Sequence, residues 1–172
     1  MSERELVTED GEVPEIDEYL ERVLLLALEE GRAKIEAGEL LVPFSALAIK
    51  DNLFIETHPG DTADECFEAA KHTVERARGA GAYAFCYDGF VETDEGDLDC
   101  VIAEGGQPGE AAGYAIGFVY QVNDDETVTF EDEPVYVGEA PNFMWNLSAP
   151  GEYTEEEIDP RYQDGETFEE EE

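Results

Sequence analysis

The chain has 172 residues, of which 46 are acidic and nine are basic, so its formal net charge is -37. A surface this negative repels phosphates and anionic lipid head groups, which argues against direct binding to nucleic acids or to membranes. Its length and its 42% hydrophobic content fit one domain, and its longest nearly uninterrupted apolar stretch, Val23 to Leu28, is far shorter than the roughly 20 residues of a membrane helix.

Residues 1–14 are predicted to form an acidic N-terminal tail, because no apolar periodicity begins before Ile16. This segment lacks the basic start and the apolar middle of a secretory signal. The three cysteines, Cys66, Cys86 and Cys100, are widely spaced with no C-x-x-C pair, as expected for reduced thiols in a core. We therefore expect a cytoplasmic protein.

The first helix is predicted from Ile16 to Ala37, with Gly38 as the left-handed residue just beyond its end. Ala27, Gly31 and Ile35 follow one another at intervals of four, which leaves a smooth strip along one side of this helix. We expect the strip to pack closely against a sheet or another helix. Its buried face is marked by apolar residues at spacings of three and four, namely Ile16, Leu20, Val23, Leu24, Ala27 and Leu28.

Residues 40–58 are predicted to form a β-hairpin with strands at Leu40–Ile49 and Leu53–His58 and a turn at Lys50–Asn52. Pro43 has no backbone N–H to donate. The first strand is therefore expected to lie at an edge, to carry a bulge or to start later.

The second helix has the best-marked boundaries in the chain. Thr62 is predicted to cap its first turn and Glu65 to return the hydrogen bond, which together form a capping box. Gly79 is expected to end the helix. Its apolar stripe comprises Phe67, Ala70, Val74 and Ala77.

From residue 82 onward the apolar pattern has a period of two, which is typical of strands. Tyr83, Phe85 and Tyr87 alternate with small residues, and after an acidic turn the chain returns through Leu98–Ala103. Further strands are predicted at Tyr114–Val122, Thr127–Glu131 and Val135–Val137. The predicted fold is α+β: a mainly antiparallel sheet, formed by the hairpin and a meander, with two helices packed on one face, the aromatic one.

Residues 151–172 are predicted to form an acidic C-terminal tail, which leaves a single domain at 15–150. The tail contains 11 acidic residues and one basic residue, Arg161. Such a run repels itself and buries little apolar surface, so we expect most of it to be disordered.

The sequence contains no motif for catalysis or for cofactor binding, which favours a non-enzymatic role and leaves an enzymatic one open. Gly105–Gly109 forms a glycine-rich stretch, but it joins two strands and lacks the lysine of a phosphate loop. His58, Cys66 and His72 would form a metal site only if the fold brought them together, since their spacing is not that of a ligand motif.

Two acidic turns offer the oxygen ligands that calcium and magnesium prefer. The first contains Asp94, Asp97 and Asp99, with Glu104 further on, and the second runs from Asn123 through Asp124 and Asp125 to Glu126. Neither matches the twelve-residue calcium loop. In so acidic a chain, carboxylates also cluster by chance, and the turns are then simply solvated.

Phe143, Met144 and Trp145 lie in a non-periodic segment that contains the only tryptophan. One interpretation is that they cover an open end of the core. The other is that they form an exposed patch that anchors a partner, including a second copy of the chain in a homodimer.

The charge itself has two interpretations. One is adaptation to a saline cytosol, which the scarcity of lysine supports and the excess of 32 Glu over 14 Asp does not require. The other is an acidic surface for a basic protein partner. We expect a non-enzymatic binding or regulatory domain that acts through protein contacts. The alternatives are a small-molecule-binding or enzymatic domain whose pocket the sequence does not reveal, and a protein that binds divalent cations at the acidic turns.

Overall fold

A computed structural model describes residues 3–5, 16–49, 52–94, 96–147 and 166–167, and of residues 3–5, 93 and 166–167 it describes the backbone alone. The prediction of an α+β fold, with a mainly antiparallel sheet and two helices, is confirmed. The elements are, in chain order, β1 (Glu3–Glu5), α1 (Glu18–Glu36), β2 (Phe44–Ile49), β3 (Asn52–Thr57), α2 (Ala63–Glu75), β4 (Ala80–Thr93), β5 (Gly96–Gly106), β6 (Gly113–Val122), β7 (Val128–Phe130), β8 (Val135–Ala140) and β9 (Glu166–Thr167).

The sheet is built around the long hairpin of β4 and β5. The strands follow the order β7-β6-β5-β4-β2-β3-β9, and all neighbours along this path are antiparallel. Strand β8 pairs with β6 at residues 113–117, and β7 pairs with β6 at residues 120–122. Strand β1 runs parallel to β4 along Phe90–Glu92.

The predicted hairpin of β2 and β3 is present, and its register pairs Ile49 with Asn52. Its first strand begins at Phe44, directly after Pro43, which matches the later start expected from a residue without a backbone N–H. Residues 50 and 51 of the predicted turn lie outside the described residues.

The helices lie on opposite faces of the sheet, so the prediction that both pack on the aromatic face is wrong. Tyr83, Phe85 and Tyr87 of β4 share a buried cluster with Ala70, Val74 and Ala77 of the α2 segment. Ala82, Ala84 and Cys86 of the same strand share the other cluster with the apolar stripe of α1. Successive side chains of a strand project to opposite faces, and both faces of β4 are apolar, so each face needs its own helix.

Helix α1 approaches the sheet closely at Gly31, as the strip of small residues predicts. A Cβ added at Gly31 would lie 2.8 Å from the Cys86 Sγ atom and 3.0 Å from the Val101 Cγ1 atom. The helix ends at Glu36, and Gly38 follows with a φ of 78°, the left-handed conformation expected there.

The capping of α2 confirms Thr62 as its N-cap. The Thr62 hydroxyl accepts a hydrogen bond of 3.1 Å from the Glu65 backbone N–H, and the Glu65 carboxylate accepts one of 2.9 Å from the N–H of Asp61. The return bond of the predicted capping box therefore reaches one residue before the cap. The helix ends at Glu75, and Gly79 follows with a φ of 95°.

The few described residues of each predicted tail form a short strand. The β1 backbone lies within residues 1–14, and the β9 backbone, within residues 151–172, pairs with Asn52 and Leu53 of β3. The other residues of both predicted tails lie outside the described residues, so the expected disorder stays a prediction. Neither α1 nor α2, the helices of the described residues, is long and apolar enough to cross a membrane.

The contact at Gly31 generates a test of the close packing. We expect Gly31→Ala to destabilise the fold, because overpacking costs about 1–3 kcal/mol and outweighs a gain in helix propensity of about 1 kcal/mol. Adding Cys86→Ala, which removes one of the two clashing atoms, should recover part of the loss. The measurement is the free energy of unfolding of the two single variants and the double variant. A Gly31→Ala variant more stable than the parent chain would contradict the contact.

Candidate functional site

A cleft of about 220 Å³ lies between the first turns of α2 and the aromatic face of the sheet. Helix α2 provides one wall, β4 provides the opposite wall, and the residue before β2 closes one side. The residues that line the cleft are Pro43, Ala63, Asp64, Cys66, Phe67, Phe85 and Tyr87.

Three aromatic rings of the cleft follow one another at large angles. The ring centroids of Phe67 and Phe85 are 6.2 Å apart with an interplanar angle of 71°. Those of Phe85 and Tyr87 are 5.3 Å apart at 43°. Phe67 also packs edge-on against Phe143, 5.2 Å away, which ties the α2 wall to the core. The rings therefore form one aromatic cluster at the cleft, in which Phe67 is half-buried and Phe85 and Tyr87 are buried.

A buried carboxylate lies behind this lining. The Tyr87 hydroxyl donates a hydrogen bond of 2.5 Å to the Glu104 Oε2 atom, and Glu104 is only 2% exposed. Glu104 belongs to β5 and pairs with Phe85 in the sheet register. A carboxylate removed from water needs such donors, because burial without them costs several kcal/mol.

A second buried polar pair lies on the β2–β3 hairpin, beside the proline of the cleft. The Ser45 Oγ and His58 Nε2 atoms are 2.8 Å apart, and both side chains are buried. The His58 backbone N–H donates to the Pro43 carbonyl. Burial lowers the pKa of His58, and the negative charge of Glu56 opposes this shift. The imidazole is thus held in its neutral form near neutral pH.

The metal site considered for His58, Cys66 and His72 is not assembled. His58 and Cys66 are buried, whereas His72 lies on the exposed side of α2. Within the part of the chain that the structure describes, no group of three His, Cys, Asp or Glu side chains is arranged to hold a metal ion.

The cysteines lie in the core, as the sequence suggests. All three are free and buried. Burial raises the pKa of the Cys86 thiol and raises that of Cys100 to about 12. These two thiols stay protonated at neutral pH, and a protonated thiol is a poor nucleophile.

The two acidic turns lie at the same end of the sheet, because one closes the β4–β5 hairpin and the other the β6–β7 hairpin. Their carboxylates are exposed, whereas Glu104 lies away from them in the core. Asp125 accepts hydrogen bonds from the backbone and hydroxyl of Thr127, which lower its pKa. We call the exposed carboxylates of both turns the anionic end; they are Asp94, Asp97, Asp99, Asp124, Asp125 and Glu126.

The segment around Trp145 divides into core and surface. Phe143 and Met144 are buried, and Phe143 stacks on Tyr83 with the ring centroids 5.4 Å apart and the planes at 14°. The Tyr83 hydroxyl accepts from the Phe143 N–H and donates to the Pro141 carbonyl. Trp145 is 62% exposed. Of the three residues predicted to contact a partner, only Trp145 is accessible from outside.

Two tyrosine–carboxylate pairs were not predicted from the sequence. One joins Tyr87 to Glu104, and the other joins Tyr120 to Asp88 at 2.7 Å. Burial raises the pKa of Asp88, and the hydrogen bond from Tyr120 opposes the rise. Asp88 and Gly89 continue β4 in regular pairing with β5. The alternation of side chains along β5 places Glu104 on the aromatic face, and this alternation was the sequence signal that could have identified the Tyr87–Glu104 pair.

The chain was compared with protein-family models, curated proteins and solved structures, and none of them matches it. The candidate site therefore stands on its own geometry.

The lowered pKa of His58 generates a prediction about pH. Its ordinary value is 6.5, so the unfolded chain takes up a proton more readily than the folded one. The stability due to neutral His58 is full above pH 6.5 and is lost as the pH falls through the lower folded-state pKa. The parent chain should therefore be more stable than the His58→Gln variant above pH 6.5, and this difference in the free energy of unfolding should shrink as the pH falls below 6.5. Exposed His72→Gln is the matched control, and an equal loss of advantage over both variants would contradict the prediction.

The exposure of Trp145 generates a second prediction. Trp145→Ala should change the free energy of unfolding by no more than about 0.5 kcal/mol, as for other surface positions. Phe143→Ala should cost about 3–5 kcal/mol, because it leaves a cavity beside Tyr83 and Phe67. Denaturant unfolding of the two variants measures the difference. If Trp145→Ala lowered the free energy of unfolding by more than about 2 kcal/mol, this ring would instead support the core.

Proposed function

We propose that this chain is a non-enzymatic binding domain whose anionic end engages a basic protein partner. The observation that carries the proposal is the distribution of charge. Residues 79–147, which form β4 to β8 and their connections, contain 15 acidic residues and no Lys, Arg or His. Such a run of one sign produces a field that attracts cationic surfaces.

The basic side chains of the described residues are supplied by the helices and the turn after α2. Arg32 of α1 is the one whose packing is clearest: its guanidinium stacks over the rings of Phe118 and Phe130, 4.9 and 4.8 Å from their centroids. Arg32 also bonds to Glu36. The two turns of the anionic end carry no cation of their own. The remaining basic residues with described side chains are Arg22, Lys34, Lys71, Arg76 and Arg78.

The chemistry of the buried groups supports a role in binding rather than in catalysis. Ser45 and His58 form a pair that resembles a nucleophile with its base, but Ser45 is 0% and His58 3% exposed. A substrate has no access to such a pair in this conformation. We place this binding in the cytoplasm, which is the location expected from the sequence.

The binding surface can be tested with an oligolysine peptide and two charge-matched variants. The first replaces Asp94, Asp97, Asp124 and Glu126 of the anionic end with their amides. The second replaces the exposed Glu29, Glu30, Glu68 and Glu75 of the two helices in the same way. We expect the first variant to weaken binding by about tenfold and the second by no more than about threefold, since single surface charges contribute little. Fluorescence anisotropy near physiological salt measures the dissociation constants.

Two results would contradict this proposal. Equal weakening by both variants would mean that the peptide senses only total charge. The absence of binding near physiological salt, together with stabilisation of the fold by any monovalent salt, would assign the acidity to a saline cytosol. The circular dichroism of both variants is the control for folding.

A further inference from the structure

We propose that a shallow groove beside the anionic end binds large aliphatic side chains of the basic partner, so that the recognised segment carries such residues between lysines or arginines. The inference rests on the proposed function and specifies the chemistry of its partner. Its evidence is the place of the groove in the sheet, its apolar lining, its acidic wall and its charge. The residues that line the groove are Leu98, Val119, Glu131, Asp132, Glu133 and Val135.

The groove lies on the aromatic face of the sheet, near the turn of the β4–β5 hairpin. Leu98 follows the alternation of Cys100 and Ile102 along β5, and these two side chains belong to the buried cluster on that face. Val119 belongs to the same cluster, and Val135 packs against it. The backbone of α2 comes close mainly to β2, so this helix covers another part of the face.

The apolar lining of the groove is accessible from outside. Leu98 is 37% exposed, Val135 is half-buried, and Val119 is 9% exposed. Apolar surface of this kind gains free energy when another apolar side chain removes it from water. The groove has a volume of about 470 Å³. At a share of about 30 Å³ per water molecule it holds the volume of about 16 waters, which is enough for two large aliphatic residues.

The connection between β7 and β8 provides an acidic wall. Both strands pair with the same edge of β6, and the connection passes the residues of β6 that lie between the two pairings. The Glu131 backbone N–H donates a hydrogen bond of 2.9 Å to the Val119 carbonyl, which holds the start of the connection beside the apolar lining. The side chains of Glu131, Asp132 and Glu133 are exposed. A cationic residue next to an aliphatic one in the partner would therefore meet carboxylates here.

The groove is continuous with the anionic end. Asp97 and Asp99 flank Leu98 in β5 and project to the opposite face. The acidic turn Asn123–Glu126 leads into β7, and β7 leads directly to Glu131. A basic segment held at the anionic end would thus lie next to an apolar surface that it can cover.

Charge complementarity favours a basic partner over the chain's own segments. Residues 151–172 contain 11 acidic residues against one basic, and residues 1–14 are acidic as well. A second copy of the chain carries the same net charge of -37. Each of these occupants would bring negative charge to a wall that is already negative. A segment with cations on both sides of its aliphatic residues suits the wall and the apolar lining together.

Three labelled peptides test the groove on the full chain. The first is Lys-Lys-Leu-Lys-Leu-Lys-Lys, the second has alanine in place of both leucines, and the third has glutamine in place of every lysine. We expect the leucine peptide to bind about tenfold more tightly than the alanine peptide, because it buries more apolar surface. It should bind at least about tenfold more tightly than the glutamine peptide, because that peptide has no cations. Fluorescence anisotropy near physiological salt measures the dissociation constants.

Two variants and one control assign the advantage of leucine to the groove. Leu98→Thr and Val135→Thr remove apolar surface and keep a residue suited to strands. Each should reduce the advantage of leucine over alanine by about threefold or more, and leave the binding of the alanine peptide within about twofold. Val122→Thr is the matched control. Val122 is 55% exposed on β6, on the face of Phe118 and Tyr120, and its replacement should leave the advantage unchanged.

Methyl NMR signals of the parent chain provide a measurement that does not depend on variants. Saturation with the leucine peptide should shift the signals of Leu98, Val119 and Val135 more than that of Val122. Equal shifts would overturn the inference. The same signals moving with protein concentration in the absence of peptide would assign the groove to a second copy, which would also overturn it.

The peptide results separate this inference from the proposed function. Equal binding of the leucine and alanine peptides near physiological salt would overturn the groove and leave the basic partner of the anionic end in place. The absence of binding by either lysine peptide would contradict both. Equal binding of the leucine and glutamine peptides would overturn the inference, because the groove would then accept apolar chains regardless of charge.

Discussion

From Ala82 to Tyr87, strand β4 carries small and aromatic side chains in strict alternation, and the layers of the molecule depend on this alternation. Alternate side chains of a strand face opposite sides. One side of β4 therefore presents alanines and Cys86, against which the 19-residue α1 approaches closely at Gly31. The other side presents three aromatic rings, against which α2 packs. The side chains that α1 packs on the small residues include Leu20, Leu24 and Leu28. The α2 segment instead places Ala70, Val74 and Ala77 against the rings. Large and small side chains therefore face each other in both layers, as close packing requires.

The same strand places two carboxylate–phenol pairs at consecutive positions. Tyr87 donates to Glu104 on the aromatic side, and Asp88 accepts from Tyr120 on the α1 side. A chain with few cations has little means to neutralise a buried acid by an ion pair. A phenol hydroxyl satisfies the carboxylate and brings no second charge that must itself lose water. Tyr87 thus allows this acidic sequence to keep Glu104 inside its sheet, whereas Asp88 stays exposed to water.

The local features of the fold were predictable from the sequence, because short-range interactions determine them. The Thr62 cap, the stop at Gly38 and the start of β2 after Pro43 each follow from the backbone preferences of one residue. The side of the sheet that each helix covers was not predictable in this way. Both sides of β4 are apolar, and the choice is made by packing between segments distant along the chain.

The candidate site was even less accessible to sequence reasoning. The cleft joins Pro43, the first turns of α2 and two rings of β4, which are separated by up to 44 positions and share no motif. The partition of Phe143, Met144 and Trp145 into core and surface depends on the stacking of Phe143 on Tyr83, 60 residues away. By contrast, the position of both acidic turns at one end of the sheet follows directly from the order of the strands in a meander.

The placement of one helix on each side of the sheet also divides the molecule into parts of unequal cooperativity. The backbone of α1 comes close to β2, β4, β5 and β6, whereas the backbone of the shorter α2 comes close mainly to β2, because aromatic side chains separate it from β4. Lifting α2 would hydrate the aromatic side while the α1 layer and the strand ladders stayed intact. Local openings of this kind cost less free energy than global unfolding. Of the two helices, the one that forms the wall of the aromatic cleft therefore detaches more readily, and this gives the cleft a route for exchange with solvent that leaves the rest of the domain folded.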